Sequence, residues 1–212
     1  MSYLHNAMLV ALLFLAVSTR VDAEFLLVST ITNDQEVPPA NPTDTQGNPR
    51  PASFGEATLI LNEAMTALTY SVTLFNVDFT GIQSDDPNDN LVAAHIHRAP
   101  FGSNGPVIFG FFGSPLSDNN PNDVVVTPFS TGVGGTITGK WDLMEGNNTT
   151  LTAEIPHLLA GNTYLNFHTV QFPGGELRGQ IVPEPSAAVL LGIGIGAAAF
   201  IGSRKRFKKR AL

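Results

Sequence analysis

Val92-Ala93-Ala94-His95-Ile96-His97, read together with Tyr164-Leu165-Asn166-Phe167-His168-Thr169 near the other end of the chain, decides the class of this protein. In an extended strand successive side chains alternate faces, so His95 and His97 point one way while Ala94 and Ile96 point the other, toward a core. The two imidazoles then stand side by side. Their Cα atoms lie about 6.6–6.8 Å apart at ordinary strand rise, a span over which both rings can turn toward one ion. The same alternation puts Leu165 and Phe167 inward and Asn166 and His168 outward. Three of the five histidines therefore occupy polar strand faces, and they share a site if the two strands are neighbours.

Outward from these stretches the chain reads as short strands divided by turn signals. Phe25–Thr32 alternates and stops at Asn33-Asp34-Gln35-Glu36-Val37-Pro38-Pro39. Residues 40–51 hold little that can be buried and read as a surface loop. Phe54–Leu61 and Ala67–Val77 form a hairpin, with Tyr70, Val72 and Leu74 on one face. Ser84-Asp85-Asp86-Pro87-Asn88-Asp89-Asn90 is rich in oxygen ligands but lacks the spacing, central Gly and terminal Glu of a helix-loop-helix calcium site, so it reads as a solvated loop. Val107–Phe112, Val124–Val126 and Gly134–Leu143 are further strands, the last carrying the only tryptophan, Trp141. Leu151, Ile155, Leu158 and Leu159 fall at helical spacing, with Gly161 as a stop; Pro156 is expected to mark where that helix properly begins, and His157 is read as a surface residue. Thr163–Val170 and Glu176–Val182 complete the set. In the last, Glu176, Arg178 and Gln180 share the polar face that could meet His168.

Composition narrows the chemistry. The chain has 212 residues and no cysteine, which removes disulfides, thiolate metal sites and cysteine nucleophiles together. Residues 24–182 keep Arg50, Arg98, Lys140 and Arg178 against sixteen acidic residues, a formal charge of −12. So acidic a domain excludes nucleic acid as a partner and attracts cations.

The two ends read as targeting segments. Residues 1–23 have an apolar run from Ala7 to Val17 and small or apolar residues at Val21-Asp22-Ala23, the pattern of a secretory signal peptide, although no Lys or Arg precedes the run. At the other end, Val182-Pro183-Glu184-Pro185 leads into an apolar run, residues 186–202, and then Arg204-Lys205-Arg206-Phe207-Lys208-Lys209-Arg210. The run suits a short membrane-spanning helix, with the basic cluster held on the cytoplasmic side. This arrangement resembles the PEP-CTERM sorting signal of bacterial exported proteins, in which Pro183, Glu184 and Pro185 would be the recognised motif and an exosortase the processing partner. The resemblance implies a bacterial protein sorted to the cell surface. A plain single-span anchor is the alternative. The chain thus divides into a signal peptide (1–23), a β-rich domain (24–182) and a sorting or anchor segment (183–212).

A second resemblance covers the middle. Asp34-Gln35-Glu36-Val37-Pro38-Pro39, Ala94-His95-Ile96-His97, and Leu159 to Thr169 running into Pro173-Gly174-Gly175-Glu176-Leu177-Arg178-Gly179-Gln180 resemble the CHRD domain, named for chordin and widespread in bacterial exported proteins. The resemblance implies an all-β fold, an antiparallel sandwich of immunoglobulin-like or superoxide-dismutase-like type, here with one short helix. It implies no established reaction.

Three functions fit these residues. One is a non-catalytic surface domain binding a polysaccharide or matrix protein, its histidines a structural cluster and Glu176 paired with Arg178. The second is a metal-binding module in which His95, His97 and His168 ligate copper or zinc, with Glu176 holding one ring in the correct tautomer from outside. The third, a redox enzyme on a dismutase-like scaffold, is disfavoured because the further histidines and the disulfide of that family are missing. No nucleophile elbow, phosphate loop or His-Glu-x-x-His helix is present. The expected product is an exported, non-catalytic binding or structural protein.

Overall fold

The computed structural model describes residues 24–184. The leader at 1–23, Pro185, the apolar segment at 186–202 and the basic tail at 203–212 lie outside the described residues. Among the described residues, no helix is long and apolar enough to cross a membrane.

Nine strands, β1 (Phe25–Thr32), β2 (Phe54–Leu61), β3 (Ala67–Phe75), β4 (Leu91–Arg98), β5 (Val107–Phe112), β6 (Val125–Pro128), β7 (Gly134–Asp142), β8 (Thr163–Thr169) and β9 (Leu177–Pro183), join in one antiparallel sheet. The strand order is β5-β4-β8-β9-β1-β2-β3-β7-β6. Hydrogen bonding runs through it without a break, so what the sequence suggested as two stacked sheets is one sheet curled over its own core. The curl brings β5 onto β3 and β7. Phe109 stacks on Trp141 with ring centroids 4.7 Å apart, and Phe111 meets Tyr70 at 4.9 Å. Period-2 patterning supplies this core: Leu27 and Ile31 from β1, Leu59 and Leu61 from β2, and Leu68, Val72 and Leu74 from β3 are fully buried.

Several strand limits and the helix start differ from the sequence reading: β7 ends at Asp142 rather than Leu143, β8 at Thr169 rather than Val170, and β9 runs Leu177–Pro183 rather than Glu176–Val182. β3 stops at Phe75, because Asn76 takes a positive φ of 61° and turns the chain, its amide bonding Val133 instead. β6 is Val125–Pro128 rather than Val124–Val126. The helix α1 runs Leu151–Leu159, with five residues before Pro156 and three after it. Thr150 Oγ1 accepts the Ala153 N–H and fixes the start, so the cap rather than the proline sets the boundary. Pro156 forfeits only the N–H that would have reached Thr152 on the outer side of the helix. Leu151, Ile155 and Leu158 face the core as the spacing predicts.

The sequence reading of strand faces holds for the core side: Ala94, Ile96, Leu165 and Phe167 are in the core. The opposite, polar face is not solvated. All seven residues of β8 are buried, Asn166 and His168 included. Loops lie over this face. Asn166 donates to Glu36 from the loop after β1, and Arg178 bonds Asn104 and the Pro100 carbonyl from the loop after β4. The 40–51 loop is likewise tied down: Arg50 pairs with Glu176 at 2.8 Å, and Gln171 with Thr43 at 2.6 Å.

The acidic loop before β4 organises around a residue outside the run first noted. The Asp78 carboxylate accepts the backbone N–H groups of Thr80, Gly81, Gln83 and Ser84, at 2.7–3.0 Å. Those bonds hold its charge and lower its proton affinity against the opposing effect of burial. A carboxylate so saturated offers little to a cation.

Candidate metal centre

β4 and β8 are hydrogen-bonded neighbours, with His95 opposite Asn166 and His97 opposite Tyr164. The same regular register sets Ala93 opposite His168, so His168 sits diagonally across from His95, and the pairing becomes irregular only beyond it, between Ala93 and Leu91. One ring nitrogen from each of His95, His97 and His168 lies within 4.8 Å of the other two. This proximity requires the strand pairing, which sequence parity alone left open.

The rings are oriented from outside by backbone. His97 Nδ1 donates to the Gly105 carbonyl at 2.9 Å, and His168 Nδ1 to the Pro173 carbonyl at 2.9 Å. A carbonyl only accepts, so in both neutral rings Nδ1 carries the proton and Nε2 presents its lone pair. His97 Nε2 is buried with no partner among the described residues. His168 Nε2 faces His95 Nδ1 at 3.0 Å, and that contact is a hydrogen bond when His95 carries its proton there. His95 Nε2 is also buried and unpartnered, although the Ser114 carbonyl lies close enough to favour the charged ring. Gly110 allows this approach: a side chain there would strike the Pro115 carbonyl and crowd His95.

Burial decides the charge state. His95 and His97 are pushed down to about 4, chiefly by desolvation; the neighbouring imidazoles push further in the same direction. Desolvation also lowers His168, opposed by the bond to Pro173. At neutral pH the cluster is three uncharged imidazoles, the form in which histidine binds metal. His95 is 3% and His168 8% exposed, while His97 is half-buried with its free nitrogen enclosed.

Glu176 lies elsewhere. It is fully buried, and its carboxylate takes Arg50 at 2.8 Å, Ser53 at 2.5 Å and Thr169 at 2.6 Å. Its expected pairing with Arg178 is replaced by Arg50, and the ring nitrogens are held by main-chain carbonyls. Arg178 instead lays its guanidinium 3.5 Å from the centroid of Tyr164, which stacks on His97 at 4.9 Å and 16°. Tyr164 was the residue the sequence reading passed over. It shares strand parity with Asn166 and His168, and that signal was available. His157 lies on α1, apart from the cluster, and is half-buried.

What this arrangement can do chemically is hold an ion. Three neutral nitrogen donors converge, and two of them have their other nitrogen committed to a carbonyl, the outer support that metal-ligating histidines ordinarily carry. At the other end of the domain, Pro183 closes β9 opposite Leu27, and the Glu184 N–H bonds the Leu26 carbonyl.

No curated protein and no solved structure matches this chain. The CHRD domain model matches residues 27–181, from the third residue of β1 to the fifth of β9, and so takes in part or all of every strand and all three histidines. The chain belongs to the CHRD domain family.

Proposed function

We propose that this protein is an exported, non-catalytic binding module that carries one transition-metal ion, copper or zinc, on His95, His97 and His168. The observation that supports it is the convergence of three ring nitrogens within 4.8 Å, with His97 and His168 turned toward one another by the Gly105 and Pro173 carbonyls. A merely structural cluster has no need of a buried, unpartnered His97 Nε2, which costs about 1–3 kcal/mol of desolvation unless something binds it. Export and surface attachment rest on the sequence of the two ends: the leader at 1–23, and Pro183-Glu184-Pro185 with the apolar run and basic tail, read as an exosortase substrate. The membrane is then a partner through the 186–202 segment until processing. The scaffold is of the immunoglobulin-like or superoxide-dismutase-like type, drawn as one curled sheet.

The test is metal content of the full chain purified without chelator, beside His95→Ala and His168→Ala. We expect close to one copper or zinc per chain in the parent and less than a tenth of that in either variant. A parent that stays metal-free after loading would return the cluster to a structural role and leave a polysaccharide or matrix-protein surface as the reading. For export, an exosortase-bearing strain that keeps the unprocessed chain in its inner membrane would defeat the sorting assignment.

A further inference from the structure

We propose that the three-histidine site is built for copper as the monovalent ion, Cu(I), and discriminates against zinc. This rests on the metal-binding reading above and names its ion.

The donor set is the first argument. All three donors are uncharged, no carboxylate joins them within 4.8 Å among the described residues, and the chain has no thiolate to offer. A divalent ion would therefore keep its whole charge in a buried place. The electrostatic cost of burying an ion rises as the square of its charge, so it is about fourfold greater for Zn(II) than for Cu(I) in the same site.

The surroundings are the second. Arg178 is fully buried, and among the described residues it has no carboxylate at ion-pair distance; Glu36, the buried acid that attracts it from farther off, is held by Asn166. Its guanidinium, the Tyr164 ring and the His97 ring form one continuous stack, so the nearest fixed charge along that direction is positive. Each added unit of positive charge on the ion is opposed by it. Glu176, the fully buried acid of the same polar face, is already neutralised by Arg50.

Enclosure is the third. Zinc on three histidines takes a water or substrate as its fourth ligand. His95 and His168 are almost wholly covered. A cleft of about 410 Å³, lined by Glu36–Ala40, Asn104 and Gln171–Gly175, includes Pro173, whose carbonyl holds His168, but none of the three histidines lines it. Cu(I) is satisfied by three nitrogens in a plane and asks for no fourth.

Testing this takes the full chain, stripped of metal and titrated in parallel. Cu(I) is supplied anaerobically with ascorbate against bicinchoninate, and Zn(II) against a zinc-chelating dye. We expect one Cu(I) per chain, held at least about a hundredfold more tightly than Zn(II), and an X-ray absorption edge showing three nitrogen neighbours and no fourth. Arg178→Gln should narrow the preference about tenfold while Arg178→Lys keeps it. Zinc bound as tightly as Cu(I), and lost in His95→Ala, would overturn the copper assignment and leave the metal-binding reading standing. Binding of neither ion would overturn both.

Discussion

Arg50 and Asp118 show, at the scale of single residues, how this domain handles buried charge. Arg50 is the sole cation at ion-pair distance from the fully buried Glu176, among the described residues. Replacing it by Gln would leave an uncompensated carboxylate held by Ser53 and Thr169 alone. We expect Arg50→Gln to cost about 3–5 kcal/mol in urea unfolding, and the double variant with Glu176→Gln to recover part of that loss. Asp118 stands in the opposite position. Burial, with Glu145 and Asp123 adding repulsion, pushes its carboxyl up to about 6, against the bond from the Asn120 N–H. A raised folded value means the native state favours the protonated acid. Its ionisation therefore weakens the fold as pH rises from about 4 to about 6, the unfolded and folded values. Asp118→Asn should melt at the same temperature as the parent near pH 4 and a few degrees higher at pH 7, by calorimetry. An equal gain at both pH values would show that charge is not the cause. None of this was legible in the sequence, where Asp118 is one acid among sixteen in the domain and its repulsive neighbours lie about 5 and 27 positions on.

Elements were easier to read than their partners. β1 and β2 have the limits the alternation predicts, because each buries one clean face, while β5, buried on both faces, keeps its predicted limits between Pro106 and Gly113. The helix was harder, since Pro156 is a louder signal than a Thr cap. Thr150→Ala removes that cap and should cost about 1 kcal/mol by thermal unfolding, without altering metal uptake. Alternation also gave the direction of His95, His97 and His168, but parity says nothing of which strands touch. β4 lies between β5, its chain neighbour, and β8, which follows it by more than sixty residues and only then brings the third histidine. The covering of the polar face was hidden for a similar reason. Glu36, Asn104 and Pro173 are loop residues whose role appears only once the loops have folded back.

For the whole molecule, the strand order has a consequence in time. β1, the first strand made, lies between β2 and β9, the last, and the β1–β9 register joins Leu27 to Pro183 and Thr32 to Arg178. β2 and β3 can pair with β1 as soon as they emerge. The other edge of β1 stays open until nearly the whole domain has appeared, and so does the matching edge of β8. Long-range pairing of this kind is slow, and an unpaired edge invites pairing with other chains. Until its final strand arrives, the domain is two half-sheets, β5-β4-β8 and β1-β2-β3-β7-β6, that a holding chaperone would have to keep apart from other chains, and β9 is the stitch that joins them.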